Sequence, residues 1–377
     1  MNKAIYPLSG DPVHHGHVQT VKSALALNLF DEVVVAVGEN PLKKPLFSTE
    51  ERVQLAKASM YGLGERIQVE SFSGLLRNHA RKNGFRWILR GSRNGGDFEY
   101  ETTLADFNRT YGLETVVIPS TEEYRTLSSS YVRAVTLEGG FVHKLVHPAV
   151  KQALEERVHG FSLVGVTGNM GAGKSTLCRT LAAYGREHLI PITHIDFDLL
   201  VHAQYTGTDP IHQEVRAQIK ECFGEEVYAS GCLNRKVLAG IVFGDVEQKE
   251  KLSEIVKVPS LLALEEQLRG LKGIVLLDAA YLTEYQMLPL VNYNTLLVTC
   301  SEDQRLAQVL ERDGITPEEV AAKTSAQHSE EQKRAIIRTA QHQIGHGFYQ
   351  EVDTNNVSIA DIVLNLNQQL GGYYVRN

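Results

Sequence analysis

The chain has 377 residues, 43% hydrophobic and 22% charged. That balance is ordinary for soluble globular proteins and excludes disordered, collagen-like and coiled-coil classes. Lys and Arg number 38 against 45 Asp and Glu, net −7 with His neutral, so there is no overall basic footprint for a nucleic-acid partner. No apolar run reaches the ~18 residues of a membrane span and no signal region opens the chain, so no membrane partner and a cytoplasmic location are expected.

Taken in chain order, β-branched apolar runs predict strands over 4–6, 32–37, 66–72, 86–89 and 114–118. Helices are predicted between them over 16–28, 49–61, 75–83 and 98–111. Ser48 ahead of Glu51 has the capping-box spacing of a helix start. Alternating β and α elements imply a parallel sheet with helices on both faces, and sites at the carboxyl ends of its strands. A helix over 147–158 ends at His159-Gly160, and the pattern restarts with an apolar strand over 161–167. Strands over 192–195, 273–277 and 295–300 follow. The expected fold is therefore α/β in two units, 1–159 and 160–377, with no Gly/Ser/Pro-rich linker between them. The four cysteines lie in the second half without a CxxC pair and read as reduced structural thiols.

The first strand runs into Tyr6-Pro7-Leu8-Ser9-Gly10-Asp11-Pro12 and His14-His15-Gly16-His17. Small residues permit close approach of a ligand, and a phosphate can rest on the helix N-terminus that follows. A metal site and plain surface histidines are the other readings of the cluster. Positive and hydroxyl groups recur at later strand ends. These are Lys43-Lys44-Pro45, Arg90-Gly91-Ser92-Arg93 and Ser128-Ser129-Ser130-Tyr131-Val132-Arg133, with Asp97-Phe98-Glu99-Tyr100-Glu101 beside them. Together they argue for a polyanion site.

With these motifs, residues 1–158 resemble bacterial phosphopantetheine adenylyltransferase, which implies a Rossmann-like nucleotidyltransferase sheet. The resemblance implies that Ser9, Lys43, Leu75 and Arg90 line the 4′-phosphopantetheine site. It also implies that Ser9, His17, Arg93, Glu101, Ser128, Ser129, Ser130 and Arg133 hold ATP. The family's usual Tyr-Pro-Gly-[ST]-Phe-Asp-Pro carries Leu8 for Gly and Gly10 for Phe here. An acceptor phosphate whose second pKa is ~6 is already ionised at pH 7 and needs no general base. Catalysis then reduces to alignment and charge neutralisation by His17, Lys43 and Arg90 with Mg²⁺.

In the second half, Gly168-Asn169-Met170-Gly171-Ala172-Gly173-Lys174-Ser175 fits the P-loop pattern between a strand and a helix. Gly168, Gly171 and Gly173 let backbone amides wrap a polyphosphate, Lys174 reaches it, Ser175 ligates Mg²⁺, and Ser175 and Thr176 also hold ATP. Asp196 and Asp198 end the next strand, where a carboxylate can accept an alcohol proton; helix capping is the other reading. Arg305 and Arg312, ahead of a polar helical segment over 317–338, suit a lid or a solvated face. This half resembles dephospho-CoA kinase, through the P-loop, Asp196/Asp198, Arg235-Lys236 before Ile241-Val242-Phe243, and Arg312-Asp313-Gly314. The resemblance implies a P-loop kinase sheet with a helical lid, ATP on the P-loop and Arg312, and an acceptor at Asp196, Asp198 and Arg235. Val258-Pro259 and Asp278-Ala279-Ala280 depart from the family's His-Pro and Asp-x-Pro.

The expected chain thus joins AMP from ATP to 4′-phosphopantetheine and then phosphorylates the 3′-hydroxyl of the resulting dephospho-CoA. An NMN adenylyltransferase fused to a ribosylnicotinamide kinase shares the His-x-Gly-His and P-loop signatures. A kinase-like half kept as an ATP-binding regulatory module is the third reading. The adenylyltransferase family forms hexamers, so a homo-oligomer is expected.

Overall fold

The computed structural model describes residues 2–39, 44–229, 232–242, 245–313, 320, 324 and 327–370, with backbone alone at 235, 246 and 311–313. Lys43 lies outside the described residues, as do the side chains of Arg235 and Arg312. The chain forms two compact units, residues 1–158 with 341–347, and 159–340 with 348–377.

The first unit strings together β1 (Lys3–Leu8), α1 (His15–Ala26), β2 (Glu32–Gly38), α2 (Thr49–Ser59), β3 (Ile67–Phe72), α3 (Leu76–Lys82) and β4 (Trp87–Ser92). There follow α4 (Gly95–Arg109), β5 (Glu114–Pro119), α5 (Ser129–Leu137) and α6 (Pro148–Leu154). Its strands form one parallel sheet in the order β3-β2-β1-β4-β5. Successive side chains of β1 and β2 alternate between two cores, which is why both strands read as unbroken apolar runs. Ala4, Tyr6, Val33, Val35 and Val37 pack on one face with α1 residues Val18 and Val21. Ile5, Val34 and Ala36 pack on the other with Ala80 of α3 and Phe85. Strand order reverses between β1 and β4, and the carboxyl ends at such a switch point frame the ligand crevice. Segment 341–347 joins this unit through two 3.0 Å contacts, His147 Nε2 with the Ile344 carbonyl and His346 Nε2 with Gln152 Oε1.

The second unit contains β6 (Phe161–Thr167), α7 (Lys174–Glu187), β7 (Ile192–Asp196), α8 (Phe197–Thr206), α9 (Pro210–Phe223), α10 (Arg235–Val242) and α11 (Val246–Leu268). Then come β8 (Gly273–Asp278), β9 (Thr295–Thr299), α12 (Glu302–Asp313), α13 (Glu330–Ile344), β10 (Tyr349–Asp353) and α14 (Ile359–Gln369). The parallel sheet has the order β10-β9-β6-β8-β7. Val164, Val166, Leu276, Leu296 and Val298 bury against Leu177 and Leu181 of α7 and Ile362 and Leu366 of α14. A separate helical core joins Val215, Ile219 and Phe223 of α9 to Leu238 and Val256.

Several boundaries differ from expectation for local reasons. Asn94 caps α4 by accepting from the Asp97 amide at 2.9 Å, so that helix starts at Gly95. The helix expected over 147–158 is α6 followed by a π turn over 155–159. Part of the polar segment 317–338 lies outside the described residues, and the rest begins α13. Strand β10, only hinted at in the sequence by Asp353-Thr354-Asn355, runs over Tyr349–Asp353. The Ser48–Glu51 capping box is present, with both reciprocal bonds made. Cys222 and Cys232 are exposed, and all four cysteines are free thiols. Among the described residues no helix is long and apolar enough to cross a membrane.

Candidate active sites

At the end of β1, Gly10 adopts φ 57°, and a Cβ there would lie 2.6 Å from Leu8 Cδ1. Leu8 thus fills the space that a side chain at position 10 would take, so the two departures from the usual motif are one exchange seen twice. Buried Asp11 fixes the loop. Its carboxylate accepts from the amides of Leu46 and Phe47 at 3.0–3.1 Å and from Arg133 at 2.7 Å. Arg133 also donates to the Asp11 carbonyl, and Ser129 Oγ donates to the Pro12 carbonyl at 2.8 Å. Ser128 caps α5 through the Tyr131 amide. Arg133 and Ser129 therefore tie the start of α5 to the loop.

The His14 amide donates to His17 Nδ1 at 3.1 Å, and the two rings stack at 3.7 Å. Burial, reinforced by Arg93, pulls His17 down to about 4, and burial with His17 beside it pulls His14 further. Both imidazoles are neutral at pH 7. Because Nδ1 of His17 is an acceptor, its single proton sits on Nε2, which makes the ring a hydrogen-bond donor without charge. Buried Tyr6 hydrogen-bonds Thr20, and burial raises its phenol to about 12. Arg90, at the end of β4, pairs with Glu101 Oε2 at 3.1 Å, and burial raises Glu101 despite that partner. Gly91 keeps α1 close, since a Cβ there would lie 2.8 Å from Thr20 Oγ1. Arg93 is held by Asp97 at 2.8 Å. Ser9 is exposed and its carbonyl accepts from buried Arg52 at 2.6 Å. Leu75 is exposed ahead of α3. The structure brings His17, Arg90, Arg93 and Glu101 to the switch-point end of one sheet.

In the second unit the P-loop glycines are structurally required. Gly171 and Gly173 have φ near 84° and 90°, and a Cβ on Gly168 would run into the Val298 carbonyl. Lys174 is buried, its Nζ 3.1 Å from the Asn169 carbonyl. Ser175 Oγ donates to Asp278 Oδ2 at 2.5 Å. These two hard oxygens, one at a helix start and one at the end of β8, suit a hard divalent cation. Thr176 is exposed and accepts from Arg179 at 3.4 Å. Asp198 is exposed at its surface, yet desolvation of its inner side pushes it up to about 6, with Lys174 opposing and Asp278 and Asp196 reinforcing the rise, while the Ala280 amide donates to it. Asp196 caps α8 through the Leu199 amide.

Sequence reasoning gave no role to Asp278, although an apolar strand ending in a carboxylate beside a P-loop strand is a usable signal. It also missed Gln327, which accepts from the Met170 amide at 2.9 Å, and Lys333. Fully buried Lys333 donates to the Ala280 carbonyl at 2.9 Å and to Glu284 at 2.6 Å. Ala280, which replaces the usual proline, thus links Lys333 to Asp198 through its own peptide groups.

Residues 9–135 match the cytidylyltransferase-like family and residues 162–341 the dephospho-CoA kinase family. Phosphopantetheine adenylyltransferase of Cupriavidus taiwanensis is 41% identical over 160 residues, 42% of this chain and 98% of that protein. Its namesake from Histophilus somni is 42% identical over 159 residues, 42% of this chain and 99% of its own. A solved structure of the NadR protein in complex with NR aligns over 98% of this chain at 15% identity and a TM-score of 0.31, values too low to bear on fold or ligand. The chain therefore belongs to the phosphopantetheine adenylyltransferase family through its first half, with a dephospho-CoA kinase domain behind it.

Proposed function

We propose that residues 1–159 transfer AMP from ATP to 4′-phosphopantetheine, giving dephospho-CoA and pyrophosphate, and that residues 160–377 phosphorylate the ribose 3′-hydroxyl of that product with ATP. The observation that carries the reading is the pairing of two nucleotide-type sites, each at the carboxyl end of its own parallel sheet. In the first, the acceptor phosphate attacks the α-phosphorus. Neutral His17 donates from Nε2 to the phosphoryl oxygens, and Lys43 and Arg90 neutralise the acceptor and the leaving group. Ser9 and Leu75 line the acceptor, while Arg93, Glu101 and the 128–133 segment orient ATP. In the second, Gly168, Gly171, Gly173, Lys174 and Thr176 hold ATP with Arg312. Asp198 takes the hydroxyl proton, and Asp196 and Arg235 position the acceptor. Mg²⁺ at Ser175 and Asp278 would neutralise phosphate charge. We further propose a cytoplasmic homo-oligomer.

The test supplies ATP and Mg²⁺ with phosphopantetheine, NMN or dephospho-CoA and follows products by mass. Turnover of NMN but not phosphopantetheine would overturn the first half of the reading. ATP binding without phosphorylation of dephospho-CoA would make the second half a regulatory module.

Two further outcomes are expected. Asp198 acts as a base only when ionised, so kcat/KM for phosphotransfer should fall as pH drops through about 6, while adenylyl transfer shows no matching limb. A flat profile between pH 5 and 8 would remove Asp198 from proton transfer. Gly10→Ala should raise KM for the acceptor by driving its Cβ into Leu8, and Leu8→Ala in the same chain should recover much of the loss. What remains is the left-handed backbone cost of about 1–2 kcal/mol.

A further inference from the structure

We propose that Cys178, His194 and Asp278 form a site for a thiophilic divalent cation of the zinc type, and that filling it silences the second unit by drawing Asp278 away from Ser175. The binding clause stands on geometry alone; the silencing clause rests on the proposed phosphotransfer.

Three elements supply one donor each. Cys178 faces the core from α7, one turn beyond Lys174; His194 comes from β7; Asp278 ends β8. The thiol sulfur, an imidazole nitrogen and a carboxylate oxygen lie within 4.8 Å of one another. His194 Nε2 and Asp278 Oδ2 are 3.6 Å apart, near the ~3.3 Å edge that bonds of about 2.0–2.1 Å give in a tetrahedron. His194 Nε2 is buried and makes no hydrogen bond, an unmet demand that a metal would satisfy. A mixed S/N/O set selects zinc-like ions over Mg²⁺ or Ca²⁺, which prefer oxygen throughout.

The charges balance on binding. The Cys178 thiol gives its proton to solvent, and thiolate plus carboxylate then neutralise the ion. Three protein ligands leave the fourth position to water. His194 also lines an open cleft of about 540 Å³ with Arg179, Arg186, Ile192 and Thr193. His194 Nε2 and Ser175 Oγ approach the same oxygen, Asp278 Oδ2, so an ion held there competes with Ser175 for it.

The test titrates the full chain, reduced and carrying Cys222→Ser and Cys232→Ser to remove the exposed thiols, with Co²⁺ and then Zn²⁺. One equivalent of Co²⁺ should produce thiolate-to-cobalt charge-transfer absorption that Zn²⁺ abolishes. Cys178→Ala should lose the band and His194→Gln should weaken Co²⁺ binding at least about tenfold, both with unchanged circular dichroism. Zn²⁺ should inhibit phosphorylation of dephospho-CoA, at least about tenfold less potently in Cys178→Ala, and leave adenylyl transfer alone. No band in the folded parent, or equal Zn²⁺ affinity in Cys178→Ala, overturns the site. A band without inhibition overturns the silencing clause. A band in a protein that never phosphorylates dephospho-CoA upholds the site and rejects the proposed kinase.

Discussion

His17→Ala is expected to lower adenylyl transfer by about 10²–10³-fold, the usual cost of removing one preorganised donor from a charged transition state. Phosphotransfer should stay at the parent rate. His17 carries its proton on Nε2 because the His14 amide occupies Nδ1, and burial keeps the ring neutral far below pH 7. It therefore donates at constant strength across neutral pH, and the adenylyl-transfer rate should show no limb from this ring near 6.5. The same substitution strips the His14 amide of its acceptor, which costs about 1 kcal/mol at a helix start. His17→Asn separates the two effects, since its side-chain oxygen can still cap that amide. Thermal stability should recover in His17→Asn while the rate does not. If His17→Ala transfers adenylyl groups within about threefold of the parent, the ring does not act on the transition state.

Lys174→Ala should have the converse result, a loss of about 10²–10³-fold in phosphotransfer with adenylyl transfer intact. Lys174 is buried and held over the P-loop by the Asn169 carbonyl, so its charge needs little reorganisation to meet phosphate. It also opposes the rise of Asp198. Removing it should therefore move the acid limb of the residual phosphotransfer above about 6, a shift that simple loss of ATP affinity would not produce. Lys174→Met keeps the buried stem and should show the same limb. Loss of both activities in either His17→Ala or Lys174→Ala would contradict two independent sites.

The sheets were legible because parallel strands buried on both faces are written as continuous apolar runs, as at Val33–Val37 and Ile274–Leu277. Strand β10 was no more than hinted at because it lies at an edge, where only Val352 of Tyr349–Asp353 is buried. The P-loop was legible because its glycines answer to local backbone demands. Long-range pairings were not. Nothing in the sequence couples Arg133 to Asp11 or Arg90 to Glu101, yet these ion pairs decide which charges are already engaged at the crevice. Lys333 read as one more charge on a polar helix, and only folding reveals it as a buried strut beneath Ala280. Asp278 was visible as a residue but not as the partner of Ser175, because that bond spans two strands and a helix start.

The contact between Leu8 and the empty side of Gly10 also couples what the two positions can carry. Starting from the family's usual Gly and Phe at these positions, an ancestor that gained Leu8 first would have forced its methyl against the residue 10 side chain. Losing the phenyl ring first leaves only a void, which leucine can later refill. The two positions are therefore coupled, and a relative with leucine at 8 is expected to carry glycine at 10.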